Sequence, residues 1–212
     1  MSAADGQLHS EHWSDETAEW YASEYGEWPS NRMTVEAIDW RTDDIVVDVG
    51  CGTACALRHA AQHVTRGRLI GCDPVPRMIR IARKQVAEVP DGERIELIEC
   101  SPGALRLDDG IATVAMAINS LHHWEDIAGG LAEVMRVLLP GGHLHVAEDH
   151  EMQEMHGTGT DDVRAVLRHA GFIEGTARVL SQGEVVMDLH TARKPSPSGG
   201  RRAPPRPSPT LP

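Results

Sequence analysis

One run of residues carries the strongest structural signal in this chain: Ile45-Val46-Val47-Asp48-Val49-Gly50-Cys51-Gly52-Thr53. Its apolar beginning predicts a buried β-strand, and the two glycines that follow predict a tight turn. Small and apolar residues then recur with helical spacing between positions 56 and 61. A strand, a glycine turn and a helix in this order are typical of a nucleotide-binding corner.

The charge of this corner indicates what kind of ligand it can hold. Asp48 lies at the end of the strand, where its carboxylate would repel a diphosphate bound at the helix N-terminus. A dinucleotide fingerprint beginning at Gly50 would also need Gly or Ala at position 55, where this chain has Cys55. A second acidic residue, Asp73, lies 21 residues after Gly52 at the end of the next apolar run. The corner therefore favours a cationic ligand, and a nicotinamide-dependent oxidoreductase is the lower-ranked alternative.

Apolar runs and helical patterns alternate along the rest of the chain. Strands are predicted at residues 45–49, 68–73, 95–99, 111–119, 144–147, 173–180 and 184–191. Helical patterns cover residues 75–86, 127–138 and 160–171, and Pro140-Gly141-Gly142 is expected to end the second of these. The alternation predicts an α/β fold, with a Rossmann-like, doubly wound sheet of seven mostly parallel strands and helices on both faces.

Four stretches, taken together and in order, carry a resemblance to a known family. They are Val47–Thr53, Gly71-Cys72-Asp73-Pro74 leading to Met78-Ile79, Asn119-Ser120-Leu121-His122-His123-Trp124, and Glu133-Val134-Met135-Arg136-Val137-Leu138-Leu139-Pro140-Gly141-Gly142. Over about residues 12–194 the chain resembles the class I S-adenosylmethionine-dependent methyltransferases, in particular small bacterial enzymes related to ubiquinone and menaquinone biosynthesis. The resemblance implies S-adenosylmethionine as cofactor and a small-molecule acceptor methylated at O, N or C.

The resemblance also implies roles for individual residues. Asp73 would accept hydrogen bonds from the ribose hydroxyls, since an ionised carboxylate can take two donors at once. Asp48 and Gly50 would face the methionine part, and the turn at Cys100-Ser101 would lie along the adenine. The full set expected to bind the cofactor is Tyr21, Asp48, Gly50, Cys51, Gly52, Asp73, Pro74, Met78, Ser101, Asn119 and Leu121.

Three positions depart from the family pattern. The third glycine is replaced by Ala54, the acidic residue usual after strand three by Ser101, and the aspartate usual before strand four by Ala112. Ser101 can hydrogen-bond but offers the adenine amino group no charge, so cofactor affinity is expected to be lower. These departures keep open an alternative: a catalytically silent methyltransferase-like protein that binds S-adenosylmethionine or S-adenosylhomocysteine.

Aromatic residues are concentrated ahead of the sheet. Six of the eight in the chain lie within the first forty positions: Trp13, Trp20, Tyr21, Tyr25, Trp28 and Trp40. Tyr21, Tyr25 and Trp28 are spaced i, i+4, i+7, which predicts one aromatic face of a helix. This face either forms a lid over the pocket or simply packs the N-terminal helix on the domain.

Histidines supply the candidate catalytic groups. Methyl transfer mainly requires alignment and exclusion of water, but a hydroxyl or neutral amine acceptor would need a base. His122 and His123, after strand four, are the best candidates because histidine titrates near neutral pH. A second group of His143, His145, Glu148, His150 and His156 raises a metal site as an alternative, but alternation along a strand explains its spacing, and we predict no metal.

Composition limits the partners and the compartment. The chain has 212 residues and a formal net charge of −12, without a basic stripe in its body, so nucleic acid is not an expected partner. No run reaches membrane-spanning length, and we expect a cytoplasmic monomer or homodimer with four reduced cysteines. Expected domain boundaries are an N-terminal helical cap at 1–40, the cofactor-binding domain at 41–194 and a disordered tail rich in Pro and Arg at 195–212.

Overall fold

A single seven-stranded sheet organises the protein. The computed structural model describes residues 13–150 and 160–196. Its strands are β1 (Ile45–Val49), β2 (Arg68–Asp73), β3 (Ile95–Glu99), β4 (Ala112–Ile118), β5 (Leu138–Asp149), β6 (Ile173–Gln182) and β7 (Val185–Arg193). Their order in the sheet is β3-β2-β1-β4-β5-β7-β6. β7 pairs antiparallel with β5 and β6, whereas the other neighbours pair in parallel.

Helices precede the sheet and cover both of its faces. They are α1 (Asp15–Tyr25), α2 (Pro29–Glu36), α3 (Cys55–Ala60), α4 (Pro76–Ala87), α5 (Ile127–Val137) and α6 (Thr160–His169). Alternate residues of each buried strand point to opposite faces. Thus Val46 packs in one core with α2, α3 and α4, whereas Val47 packs in a second core with α5 and α6. The predicted doubly wound α/β fold is confirmed.

The strand order brings the ends of the central strands together. β1 lies between β2 and β4, and all three run parallel, so their carboxyl ends meet at one edge of the sheet. After β1 the chain continues to β2 on one side of β1, and it later returns to form β4 on the other side of β1. Doubly wound folds bind their ligands at this switch point.

Residues 13–40, which we call the cap, lie against this edge. Ala18 of α1 packs with Val75 and Met78 at the start of α4, and Trp13 and Tyr21 border the same cluster. Residues 1–12, 151–159 and 197–212 lie outside the described part. Almost all of the expected tail is therefore among the residues that the structure does not describe. The three domain boundaries therefore remain predictions.

The junction of α5 and β5 differs from the predicted one. The helix ends at Val137, and Leu138 already has extended backbone and pairs with Ala112 of β4. Pro140 and the two glycines after it lie inside β5 rather than in a loop, and Gly141 has a φ of 81°. The pairing between β4 and β5 shifts register between Ala112 and Val114, which accommodates these residues. Such a pairing depends on the neighbouring strand, so local periodicity did not reveal it.

Two leucines of β5 provide a test of this core. Leu144 has no exposed surface, whereas Leu139 in the same strand is 38% exposed. We expect Leu144→Ala to lower the free energy of unfolding by about 2–5 kcal/mol, because it leaves a cavity between sheet and helix. Leu139→Ala should change it by about 0.5 kcal/mol. Urea unfolding followed by circular dichroism measures both, and equal losses would contradict the assignment of Leu144 to the core.

Candidate functional site

A cleft opens at the carboxyl edge of β1, β2 and β4, beneath the cap. It encloses about 820 Å³ of space between protein atoms, its open mouth included. Its wall combines the glycine turn at residues 50–53, residues 73–75 after β2, residues 118–120 after β4, and aromatic side chains of the cap. The cleft therefore lies where the fold and the sequence both place a ligand.

The glycine turn is shaped by close backbone contacts. Gly50 has a φ of 79°, and a Cβ added to it would lie 2.6 Å from Cβ of Ser120. Gly52 has a φ of 52°, and no atom lies within 4 Å of the position its Cβ would take. Gly50 thus lets the turn approach the end of β4, whereas Gly52 leaves the cleft side of the turn open for a ligand.

Asp73 connects this turn to the next helix. Its Oδ2 accepts a hydrogen bond from the Gly52 N–H and its Oδ1 accepts one from the Val75 N–H, each at 2.9 Å. Burial raises the pKa of Asp73 to about 6, although the two hydrogen bonds counteract the rise. Each oxygen keeps lone-pair capacity, so the carboxylate can still accept donors from a ligand.

Asp48 lies in β1, where it pairs with Gly71, two residues before Asp73 in β2. It is 2% exposed, and no group in the described part of the chain donates a hydrogen bond to its side chain. Burial and the charge of Asp73 raise its pKa to about 7. Asp48 does not form part of the cleft wall. It nevertheless adds a second negative charge under the turn, which a cation in the cleft would stabilise.

The cap contributes a row of aromatic rings. Ring centroids are separated by 4.8 Å for Trp13 and Tyr21, 5.1 Å for Tyr21 and Tyr25, and 5.5 Å for Tyr25 and Trp28. All four side chains line the cleft. The predicted single helical face is wrong, because α1 ends at Tyr25 and Trp28 is the N-cap of α2. The turn between the two helices nevertheless continues the row.

Polar contacts fix the cap to the ends of β4 and β5. Asn119 has a φ of 48° and donates from Nδ2 to Ser30 Oγ at 3.0 Å. Its Oδ1 accepts the Asp149 N–H at 2.8 Å, and Asp149 Oδ2 accepts the Trp28 indole N–H at 3.2 Å. Thr53 Oγ donates to the Gly26 carbonyl at 2.7 Å. The wall formed by the cap is therefore held to the glycine turn as well as to the sheet.

The two candidate catalytic histidines have different surroundings. His123 lines the cleft, and its ring lies edge-on to Trp13 with centroids 5.4 Å apart. The His122 side chain is 3% exposed, and its Nδ1 lies 2.7 Å from Glu148 Oε2. Glu148 Oε1 also accepts the Leu121 N–H at 3.1 Å. Of the pair, His123 is the one that forms part of the cleft wall.

The structure brings most of the predicted site residues together. Those lining the cleft are Tyr21, Gly50, Cys51, Gly52, Asp73, Pro74, Met78, Asn119 and His123, whereas Asp48, Ser101, Leu121 and His122 do not line it. The wall also contains residues given no role from the sequence: Gly26, Asn31, Thr53, Val75, Pro102, Ile118, Ser120 and Trp124. Thr53, Ser120 and Trp124 belong to quoted motifs, so adjacency to the predicted residues could have identified them.

The other histidines and the cysteines have separate environments. His145 Nδ1 contacts Thr191 Oγ at 3.1 Å, and burial lowers the pKa of His145 to about 3. His150 Nε2 lies 3.1 Å from Asp188, and His156 lies outside the described residues. Within residues 13–150 and 160–196, no three His, Cys, Asp or Glu side chains are grouped to hold a metal ion. All four cysteines are buried and free.

Hydropathy adds one further observation. Among the helices that the structure describes, none combines the length and the apolar character that crossing a bilayer requires.

Known proteins are similar to this chain in sequence or in fold. Residues 47–146 match the model of a methyltransferase domain family. An uncharacterised 37.1 kDa transposon protein of Streptomyces fradiae is 36% identical over 55% of this chain and 33% of its own length. Demethylmenaquinone methyltransferase of Symbiobacterium thermophilum is 31% identical over 56% of this chain and 48% of its own length. Among solved structures, a SAM-dependent methyltransferase of Aquifex aeolicus has a TM-score of 0.72 at 17% identity, over 86% of this chain and 99% of the other.

The sequence matches cover only part of this chain and of its relatives. The chain spans a third to about half of the length of these two curated relatives. The aligned family region begins within β1 and ends within β5. It therefore contains the glycine turn, Asp73 and the His122-His123 pair, but not the cap.

Asp48 generates a prediction about pH and stability. Its pKa is raised to about 7 in the folded state, so the folded protein binds more protons than the unfolded chain between about pH 4 and 7. The free energy of unfolding should fall as pH rises through this window. Asp48→Asn removes the cost of ionisation, and we expect a gain of the order of 2–4 kcal/mol at pH 8 that vanishes near pH 4.

Urea unfolding at both pH values measures this difference. Asp108→Asn removes one negative charge from an exposed position and serves as the matched control. A variant at Asp48 with the same pH profile as the control would contradict the buried, high-pKa carboxyl.

Proposed function

We propose that the chain is a class I S-adenosylmethionine-dependent methyltransferase that methylates a small-molecule acceptor, because residues 47–146 match a methyltransferase domain family. One observation carries the proposal: the Asp73 carboxylate lies under a glycine turn whose cleft side is open at Gly52. The carboxylate can accept ribose hydroxyls while the turn lets the cofactor lie close to the backbone.

The chemistry of the cleft fits this cofactor. When bound, S-adenosylmethionine supplies a methyl group activated by a positively charged sulfonium. Asp73 and the adjacent Asp48 would stabilise that charge across a region of low dielectric constant. Among the described residues that line the cleft there is no lysine or arginine to oppose it. Gly50, Cys51 and Gly52 would hold the amino-acid part through the backbone, and Pro74 and Met78 would border the ribose.

The chain's own residues would align the acceptor and exclude water. Trp13, Tyr21, Tyr25 and Trp28 line the cleft, so an acceptor bound against them would be partly shielded from water. His123 is the candidate base for a hydroxyl or neutral amine acceptor, because it alone of the histidine pair belongs to the wall. His122 would support the same region from behind through its contact with Glu148.

Charge restricts the acceptor further. The described wall carries aromatic rings, hydroxyls, two amides, the His123 imidazole and one carboxylate, but no lysine or arginine. An anionic acceptor would face Asp73 without a compensating positive group, so we propose an uncharged or cationic small molecule rather than a phosphate, a carboxylate or a nucleic acid. A cytoplasmic monomer or homodimer remains our expectation for the protein.

A silent cofactor-binding protein is the second candidate. Ala54 holds a left-handed backbone with a φ of 61°, where the family has glycine, and Ser101 lies outside the cleft wall. Both features would weaken the hold on the cofactor compared with the family pattern. Release of S-adenosylhomocysteine from S-adenosylmethionine in the presence of a panel of uncharged acceptors would exclude this candidate.

Asp73→Asn tests the proposed cofactor site. The variant keeps the size of the side chain but loses the charge and part of the accepting capacity. We expect its Kd for S-adenosylmethionine to rise at least about tenfold, measured by isothermal titration calorimetry. Asp108→Asn should bind like the wild type. Absence of wild-type binding up to millimolar cofactor would contradict the proposed function itself.

The raised carboxyl pKa values predict a pH-dependent preference for the charged cofactor. Asp48 and Asp73 have pKa values of about 7 and 6, so both are partly protonated at pH 5.5 and largely ionised at pH 8. S-adenosylmethionine carries the sulfonium charge, which S-adenosylhomocysteine lacks. The ratio of their affinities should therefore shift toward S-adenosylmethionine as pH rises over this range.

Calorimetric titration of both compounds at pH 5.5, 6.5 and 8 gives this ratio. Asp48→Asn should flatten the trend, because it removes the group with the higher pKa. A ratio independent of pH in the wild type would show that the carboxylates do not sense the sulfonium.

A further inference from the structure

We propose that Trp124 recognises the nucleobase of the cofactor by donating its indole N–H to a ring nitrogen of adenine. This inference rests on the proposed function, since it concerns the same cleft. It adds a specificity-determining residue that the sequence motifs did not assign.

Trp124 has a buried donor that needs a partner. Its side chain lines the cleft and is 4% exposed. Nε1 is shielded from solvent, and in the described part of the chain no group accepts a hydrogen bond from it. A buried N–H without an acceptor is costly, so such a donor in a cleft wall is typical of a group completed by a ligand.

Packing on α5 fixes the orientation of the indole. A Cβ added to Gly130 would lie 2.4 Å from Cε3 and 2.8 Å from Cζ3 of Trp124. The benzene edge of the ring is therefore seated against the helix at a position that only glycine allows. Nε1 belongs to the five-membered ring, on the side of the indole opposite Cε3 and Cζ3 and therefore away from this contact with α5.

The sheet order places Trp124 at the nucleobase end of the cleft. The glycine turn follows β1 and Asp73 ends β2, so a ribose held by Asp73 directs its base onward to the end of β3. Pro102 follows β3, lines the cleft, and lies 3.2 Å from the same Gly130 position that Trp124 contacts. Trp124 and Pro102 thus border one end of the cleft together.

Hydrogen-bonding chemistry selects the atom that Trp124 would contact. An indole N–H only donates, so it matches the ring nitrogens of adenine and not the exocyclic amino group. No carboxylate among the described wall residues lies after β3, where this chain has Ser101 and Pro102. Recognition of a ring nitrogen by Trp124 would compensate for the missing acceptor of the amino group.

The test uses calorimetry with S-adenosylhomocysteine and its 1-deaza, 3-deaza and 7-deaza analogues, in each of which one ring nitrogen is replaced by C–H. Wild-type protein should bind one analogue about tenfold more weakly than the parent compound. W124F keeps most of the ring but loses the N–H, and it should bind the parent about tenfold more weakly yet bind that one analogue like the wild type. W20F, at a tryptophan that is 56% exposed, should bind all four compounds like the wild type.

Other results overturn the inference, and one of them also contradicts the proposed function. Binding of the parent compound by W124F within twofold of the wild type overturns the inference, as does an equal loss on every analogue, which would indicate packing alone. If W124F does not fold, the wild-type protein still tests the inference. Equal affinity of the wild type for the parent compound and its three analogues overturns the inference. Failure of the wild type to bind the parent compound contradicts the proposed function as well, whereas the preceding outcomes leave that function intact.

Discussion

The site depends on the double hydrogen bond that Asp73 accepts from the N–H groups of Gly52 and Val75. One oxygen holds the turn after β1, and the other holds the first residues before α4. The carboxylate thus joins two neighbouring βα units at the point where their strands end. Its partners are both backbone groups, so the geometry is independent of which side chains surround the turn. Burial keeps its pKa high, and the adjacent Asp48 adds to the electrostatic cost. A cationic ligand offsets this electrostatic cost, which is already present in the free protein, and thereby gains affinity.

Local sequence determined this part of the structure, and it was predictable for that reason. The strand, the glycine turn and Asp73 at the end of β2 follow from apolar runs and from glycines needed at positive φ. The comparisons then matched residues 47–146 to a methyltransferase domain family, in agreement with the ordered motifs.

Features that depend on distant parts of the chain were not predictable in the same way. Leu138 fits the apolar spacing of α5, yet it pairs with Ala112 and begins β5. Trp28 fits the spacing of α1, yet the helix ends three residues earlier. His122 and His123 are adjacent in sequence, but the short 3₁₀ turn at residues 121–123 directs one toward Glu148 and the other toward the cleft. In each case a tertiary partner decides between two locally acceptable conformations.

Besides the apolar packing of α1 and α2, three neighbouring polar contacts anchor the cap to the rest of the protein. Gly26 accepts from Thr53, Trp28 donates to Asp149, and Ser30 accepts from Asn119, all within a stretch of five residues. The cap lies before the region that matches the family model, whereas two of its three anchoring partners lie at or beyond the glycine turn within that region. This arrangement makes the cap a modular part. During divergence, or in a designed chimera, the wall above the acceptor could be exchanged while the methyl-donor half stayed unchanged. The replacement would have to present a carbonyl, an indole N–H and a hydroxyl at the same three points and fill the core positions of α1 and α2.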